Sequence, residues 1–88
     1  MSCTVRIPSP LRSYTAGAAR VSAEGATLTE VLVSLERRFE GMRFRMVDEQ
    51  DRIRPHIRLY VNTVEAPTLA MPVRAGDTVH VICALSGG

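Results

Sequence analysis

Alternation of apolar and polar positions along the chain predicts several strands. In residues 3–7 the apolar side chains fall on one side of an extended chain and Thr4 and Arg6 on the other. Pro8 and Pro10 end this strand, because proline cannot donate to a strand ladder. The alternation returns after a turn region at residues 11–17, so the first two strands form a hairpin. Further strands are predicted at residues 19–23, 57–61 and 78–83.

One stretch has the period of a helix instead. Its apolar stripe consists of Leu28, Val31, Leu32, Leu35 and Phe39. Thr27 and Glu30 fit a capping box, in which each side chain accepts a hydrogen bond from a backbone N–H at the helix start. Gly41 fits a C-cap, since glycine tolerates the left-handed conformation. We therefore expect a helix over residues 28–40.

The remaining segments are less regular. Residues 42–54 include a polar turn at 48–51, residues 64–72 contain two prolines and follow an irregular edge, and residues 75–77 form a tight turn. The order of strand, strand, helix, strand, edge and strand predicts an α+β domain, with a mixed sheet of four to five strands packed on one main helix. The predicted core is Val5, Ile7, Val21, Leu28, Val31, Leu32, Leu35, Phe39, Leu59, Val61, Val79 and Val81.

Length and composition narrow the class of protein. The 88 residues allow one domain, with residues 84–88 expected to be a flexible tail. No apolar stretch approaches the roughly 20 residues of a membrane span, and no signal peptide is visible. Two cysteines, Cys3 and Cys83, are too few for a disulfide framework and lack the spacing of a zinc site. A cytoplasmic protein with free thiols is expected.

The charged residues are unusual in kind. All 11 basic residues are Arg, and the net charge is +2. Without Lys, the sequence offers no side-chain amine that could accept an isopeptide bond.

Several motifs, taken in order, resemble the ThiS/MoaD family of ubiquitin-like sulfur carriers over the whole chain. They are the strand that ends at Pro8 and is followed by Leu11-Arg12, the capped helix, Leu59-Tyr60-Val61-Asn62, Ala75-Gly76-Asp77-Thr78-Val79, and the final Gly87-Gly88. The resemblance implies a β-grasp fold. The longer loop after the helix is most similar to the carriers of cysteine biosynthesis, and somewhat similar to the small subunit of molybdopterin synthase.

The resemblance also implies a chemical role for the C-terminus. In the family, an E1-like enzyme uses ATP to adenylate the terminal glycine carboxylate, which then receives sulfur as a thiocarboxylate and passes it to a biosynthetic enzyme. Carried over, Gly88 is the reacting residue and Gly87 its steric partner. The chain would be a carrier and not an enzyme, with no bound cofactor or metal and no nucleic-acid or membrane partner. Two glycines suit this role, since they can thread a narrow channel in any backbone conformation.

Two features depart from the family pattern. Residues 84–86 lack the proline that many relatives have near this point, and the positive net charge contrasts with the acidic character common in the family. The second departure weakens any expectation of a strongly basic partner surface.

The last strand also predicts a partner surface. Val79 and Val81 should face the helix, which turns His80 and Ile82 outward, and Leu85 follows on the tail. His80, Ile82 and Leu85 are therefore the predicted partner-binding residues, because exposed apolar patches often mark interaction sites.

Other candidate sites have weaker support in the sequence. His56 and His80 have no companion at ligand spacing, and residues 48–51 do not fit a calcium loop. The basic residues Arg37, Arg38, Arg43 and Arg45 lack the aromatic platform of a single-strand binder. Cys83 has no neighbouring group in sequence that would activate its thiol.

Two alternative functions stay open at this level. One is the small subunit of a synthase of the molybdopterin type, whose tail stays inserted in a larger subunit. The other is a ubiquitin-like interaction module with an inert tail. The sequence does not identify the acceptor of the sulfur, which would be cysteine, thiamin, molybdopterin or a siderophore precursor.

Overall fold

The fold is a five-stranded mixed sheet with a helix packed on one face. It was obtained as a computed structural model, which describes residues 2–84. The strands are β1 (Ser2–Arg6), β2 (Arg20–Glu24), β3 (Ile57–Val61), β4 (Val64–Glu65) and β5 (Thr78–Cys83); the α-helices are α1 (Leu28–Arg38) and α2 (Met42–Met46). A 3₁₀ helix, Ser9–Thr15, joins β1 to the turn before β2.

The sheet is built around a parallel pair. Its strand order is β2-β1-β5-β3-β4, with β1 and β5 parallel at the centre and the other pairs antiparallel. The sequence-based prediction of an α+β domain with a mixed sheet on one helix is thereby confirmed.

The capping box forms at the start of α1. The Thr27 hydroxyl accepts from the Glu30 backbone N–H at 3.3 Å, and the Glu30 carboxylate accepts from the Ala26 N–H at 2.8 Å. Four residues of the predicted stripe, Leu28, Val31, Leu32 and Leu35, are buried against the sheet. Each buried aliphatic side chain of this size contributes about 1.5–3 kcal/mol, so this stripe fixes the helix on the sheet.

The predicted core is confirmed except at Val21 and Phe39, which are only partly buried. Val21 lies in β2, which is an edge strand and has a neighbouring strand, β1, on one side only. Phe39 follows the last turn of α1, where the chain already leaves the sheet. The core also contains side chains from segments expected to be irregular: Leu11, Met42, Met46, Val47, Ala66, Leu69 and Val73.

The region after α1 differs from the prediction. The helix ends at Arg38 with Phe39 as its C-cap, whereas an end at residue 40 with a Gly41 cap was expected. Gly41, at φ 90°, is instead the N-cap of α2. The side chain of Glu36 accepts from the backbone N–H groups of Gly41 at 2.8 Å and Arg43 at 2.9 Å. This contact between the two helices starts α2, and it has no signature in a local sequence pattern.

Candidate functional site

The last described residue, Ala84, leaves the sheet at the end of β5. Its backbone N–H donates to the carbonyl of His56 at 2.8 Å, so the hydrogen-bonding pattern of the β3–β5 pair extends to this point. Leu85, Gly87 and Gly88 lie outside the described residues. The four residues that follow Ala84 can span at most about 14 Å.

The outer face of the sheet, opposite α1, carries a row of side chains that crosses all five strands. The paired residues are Arg20, Arg6, His80, Tyr60 and Glu65, one from each strand in the order of the sheet. Val79 and Val81 face α1 and are buried. The predicted direction of the β5 side chains is therefore confirmed, and His80 and Ile82 lie on the outer face.

Ile82 is the exposed apolar residue of this face. It is 44% exposed and lies opposite Arg58 of β3. Arg58 Nη1 donates to Glu65 Oε2 at 2.8 Å. An apolar side chain thus lies beside charged neighbours, close to the point where the chain leaves the sheet.

Neither cysteine has the environment of a reactive thiol. Both are free, and they lie on β1 and β5 with Cys3 near the start of β5 and Cys83 at its end. Burial, with a smaller effect from the charge of Asp77, raises the pKa of the Cys3 thiol above its ordinary value. Burial raises the pKa of the Cys83 thiol as well. Since the thiolate is the reactive form, both side chains are poor nucleophiles.

The other sequence candidates occupy ordinary surface positions. His56 is exposed in the turn before β3. Within residues 2–84 no group of three or more His, Cys, Asp or Glu side chains could hold a metal ion. Asp48 accepts from the backbone N–H groups of Gln50 and Arg52, which orders the turn itself. The backbone N–H of Arg52 is the main cause that lowers the pKa of the Asp48 carboxyl.

Three arginines near the helices each bind a different group of the protein. Arg38 donates to the Ser22 carbonyl, Arg43 pairs with Asp51, and Arg45 Nε donates to Tyr14 Oη at 2.7 Å. This last hydrogen bond raises the pKa of Arg45. The guanidinium of Arg38 also lies over the Phe39 ring, 4.9 Å from its centroid. Each of these side chains is therefore held by its own intramolecular partner.

The match to a family model decides the family. The model described as the ThiS family matches residues 5–88, nearly the whole chain. The chain belongs to the ThiS family. Over 93 aligned positions it is 36% identical to sulfur carrier protein CysO of Mycobacterium tuberculosis and of Mycobacterium bovis, with all of each chain covered.

Several solved structures share the fold. The crystal structure of Mycobacterium tuberculosis CysO is 33% identical and superposes with a TM-score of 0.89, over 94% of this chain and 99% of that one. CysO in the Amycolatopsis orientalis BexX/CysO complex is 36% identical with a TM-score of 0.90, over 98% and 99%. SAMP1 from Haloferax volcanii, 23% identical with a TM-score of 0.83 over the full length of both chains, shares the fold. The fold is the ubiquitin-like β-grasp.

The sequence reasoning missed part of the outer face. Arg6 and Arg20 pair directly across β1 and β2, and Arg6 also pairs with His80. Alternation within β1 already turned Arg6 outward, but no local pattern shows which residue of another strand lies opposite it. In the part of the chain from residue 2 to 84, no helix is long and apolar enough to cross a membrane.

Proposed function

We propose that this chain is a sulfur carrier whose C-terminal carboxylate, at Gly88, is adenylated by an ATP-dependent E1-like enzyme and converted to a thiocarboxylate. The observation that carries the proposal is membership of the ThiS family together with full-length similarity to sulfur carrier protein CysO. The alignment with that relative includes Gly87 and Gly88, the residues that would enter the partner's active site.

The structure supports a carboxylate as the carrier group over a thiol. Burial keeps the thiols of Cys3 and Cys83 protonated at neutral pH, because it raises the pKa of each. A terminal carboxyl has a pKa of about 3.5 and is fully ionised at pH 7, as attack on a nucleotide phosphate requires. Sulfur carriage through the C-terminus therefore fits the chemistry of the chain better than a persulfide on either cysteine.

The position of β5, which precedes the tail, also supports this function. β5 lies in the middle of the sheet between β1 and β3, so both neighbours hold its position. The four residues after Ala84 can carry the carboxylate up to about 14 Å from the sheet. That distance allows it to enter an active site while the domain stays outside as the recognition surface.

The reaction sequence needs only partners of known chemical class. The carboxylate oxygen of Gly88 attacks the α-phosphorus of ATP, pyrophosphate leaves, and an acyl-adenylate forms. Sulfide from a donor then displaces AMP, which leaves a thiocarboxylate. In this scheme the chain is a co-substrate and the catalytic groups belong to the enzyme. Similarity to CysO makes the cysteine-forming branch the first candidate for the acceptor of the sulfur.

Intact-mass spectrometry tests the proposal. The protein is incubated with ATP, sulfide and the activating enzyme, which is purified by following ATP–pyrophosphate exchange that depends on this chain. We expect one oxygen of Gly88 to be replaced by sulfur, located by fragmentation. A variant with Cys3→Ser and Cys83→Ser should react as the wild type does. Sulfur found on a cysteine, with Gly88 unchanged, would contradict the carrier mechanism.

A large subunit that purifies with the chain in a stable complex would favour the alternative of a synthase small subunit. In that case the same thiocarboxylate would form, and size-exclusion chromatography would separate the two functions. A chain that never reacts at Gly88 would be an interaction module.

A further inference from the structure

The outer face of the sheet places two arginines directly opposite each other. Arg6 of β1 and Arg20 of β2 are partners in the antiparallel register, and both side chains are exposed. The Cβ atoms of such partners lie about 4.5–5.5 Å apart, so like charges there oppose strand pairing. Among residues 2–84, no carboxylate forms an ion pair with either guanidinium.

The same face contains one arginine whose charge is neutralised by a carboxylate on the neighbouring strand. Arg58 lies on this face too, and its guanidinium pairs with Glu65 on the neighbouring strand at 2.8 Å. At the β1–β2 pair, an acidic side chain in place of Arg20 would provide the same favourable arrangement for Arg6. The uncompensated pair therefore destabilises the hairpin slightly, and a partner that supplies carboxylates would remove that cost.

The two arginines lie on the β1–β2 side of Ile82, the exposed apolar residue of the face. Arg6 pairs with His80 on β5. Ile82 follows two positions further along the same strand, about 7 Å from His80. Protein interfaces commonly combine an apolar centre with a polar rim, and Arg is enriched in them. Arg6, Arg20 and Ile82 thus form one surface, which we call the arginine–isoleucine face.

We propose that the arginine–isoleucine face binds an acidic patch on the activating enzyme, with carboxylates of the enzyme at Arg6 and Arg20 and an apolar contact at Ile82. This inference rests on the proposed function, because it assumes that such an enzyme exists. Guanidinium groups suit the role, since their planar donors match a carboxylate in bidentate geometry. From His80 to Gly88 the chain can span up to about 28 Å, so one enzyme can cover the face and hold the terminus.

Charge and surface composition favour an acidic protein over a nucleic acid as the occupant. The face contains the exposed apolar side chain of Ile82, and at its far edge the positive charge of Arg58 is already paired with Glu65, so it offers no further cation to a phosphate backbone. The whole chain has a net charge of only +2. A nucleic-acid surface needs several phosphate-binding cations in a continuous stripe.

Steady-state kinetics of ATP–pyrophosphate exchange test the proposal with the activating enzyme described above. The test variant is Arg6→Glu/Arg20→Glu, together with its two single exchanges. The matched control for each single exchange is Arg37→Glu, which makes the same charge change on the exposed side of α1. For the double variant we expect KM for the carrier to rise roughly tenfold or more, with kcat unchanged. The control should stay near the wild-type KM.

Two further measurements separate docking from structure. The KM of the wild type should rise with ionic strength, while that of the test variant should respond much less. The single variant Arg20→Glu should melt at the wild-type temperature or above it, because the new carboxylate faces Arg6. Loss of binding together with equal or higher stability is a result that a merely structural role would not give.

Each contrary result has a definite meaning. Equal KM values for the test and control variants would overturn the inference and leave the proposed function intact. A lower melting temperature of Arg20→Glu alongside a higher KM would show a structural role and also overturn it. Binding of a single-stranded oligonucleotide that is lost in the test variant, with KM unchanged, would assign the arginines to nucleic acid instead. If no exchange activity responds to the wild-type chain, the proposed function fails and the inference falls with it.

Discussion

Asn62 and Asp77 are joined by a hydrogen bond from Asn62 Nδ2 to Asp77 Oδ1 at 3.1 Å. Asn62 Oδ1 also accepts from the backbone N–H of Thr78, at 3.0 Å, and Asp77 Oδ2 accepts from the N–H of Arg74, at 2.9 Å. The carbonyl of Asp77 accepts from Thr4 N at 3.0 Å. This network ties the turn after β3 to the start of β5 and to the middle of β1, so Asn62 and Asp77 each have a structural role in the Val-Asn and Gly-Asp motifs.

The Asp77 carboxyl should make the stability of the fold depend on pH in the acidic range. The backbone N–H of Arg74, and then the Asn62 amide, lower the pKa of the Asp77 carboxyl. A carboxyl with a lowered folded-state pKa stabilises the fold above its unfolded value of about 3.9, and this contribution is lost as pH falls through the folded value. Asp77→Asn should therefore lower the melting temperature near neutral pH and have a smaller effect near pH 3, as circular dichroism would show. Glu40→Gln, at an exposed position, is the control; an equal response of both variants to pH would contradict the prediction.

Asn62 should contribute through both its side chain and its backbone. Its φ of 56° lies in the left-handed region, which Asn tolerates better than most residues and Gly best. Asn62→Gly removes the side-chain hydrogen bonds without adding strain in the folded state, whereas Asn62→Ala removes them and adds backbone strain of about 1 kcal/mol or more. Denaturant unfolding should rank stability as wild type, then Asn62→Gly, then Asn62→Ala. The reverse order of the two variants would show that the glycine's extra freedom in the unfolded chain outweighs the strain.

Glu36 should stabilise the second helix from the first. The N–H groups of Gly41 and then Arg43 lower the pKa of its carboxyl, as expected for an acceptor at a helix N-terminus. Glu36→Ala should cost about 1 kcal/mol, the usual loss for a capping side chain, and lower the melting temperature by about 4–8 °C. The helix that this side chain caps carries the buried residues Met42 and Met46. Glu40→Ala should have little effect; equal losses in the two variants would exclude a capping role.

Ile82 should matter for binding and not for folding. It is 44% exposed on the outer face, so Ile82→Glu should change stability by no more than about 0.5 kcal/mol. Exchange kinetics with the activating enzyme should show a higher KM, because the substitution places a negative charge at the apolar contact of the arginine–isoleucine face. Val33→Glu is the matched control, since Val33 is 37% exposed on α1. If both variants keep the wild-type KM, Ile82 is an ordinary surface residue.

The terminal glycines should separate chemistry from stability. Gly87→Val places a β-branched side chain where the tail must enter a narrow site, and deletion of Gly88 moves the carboxylate back by up to about 3.5 Å. A misplacement of about 1 Å already costs on the order of a hundredfold in rate. Both variants should melt within a degree or two of the wild type, as for surface changes, and should fail in ATP–pyrophosphate exchange. Wild-type exchange rates would show that the tail is inert.

The sequence by itself determined the elements and the faces they present. Period-two alternation in β1, β3 and β5 is a local property, because successive side chains on a strand point to opposite faces. The stripe and capping box of α1 are local in the same way, and the capping box and four of the five stripe residues were found where predicted. Motifs in the right order then indicated the family.

Only the tertiary structure decided which residues meet across elements. The register that sets Arg6 against Arg20 and His80 depends on how the hairpin and the parallel β1–β5 pair align, which no single segment contains. Glu36 reaches α2 because the chain turns back after Phe39, and that turn is stabilised by burial of Met42 and Met46. Local periodicity sets which side chains face outward, and the packing of distant segments sets which of them become neighbours.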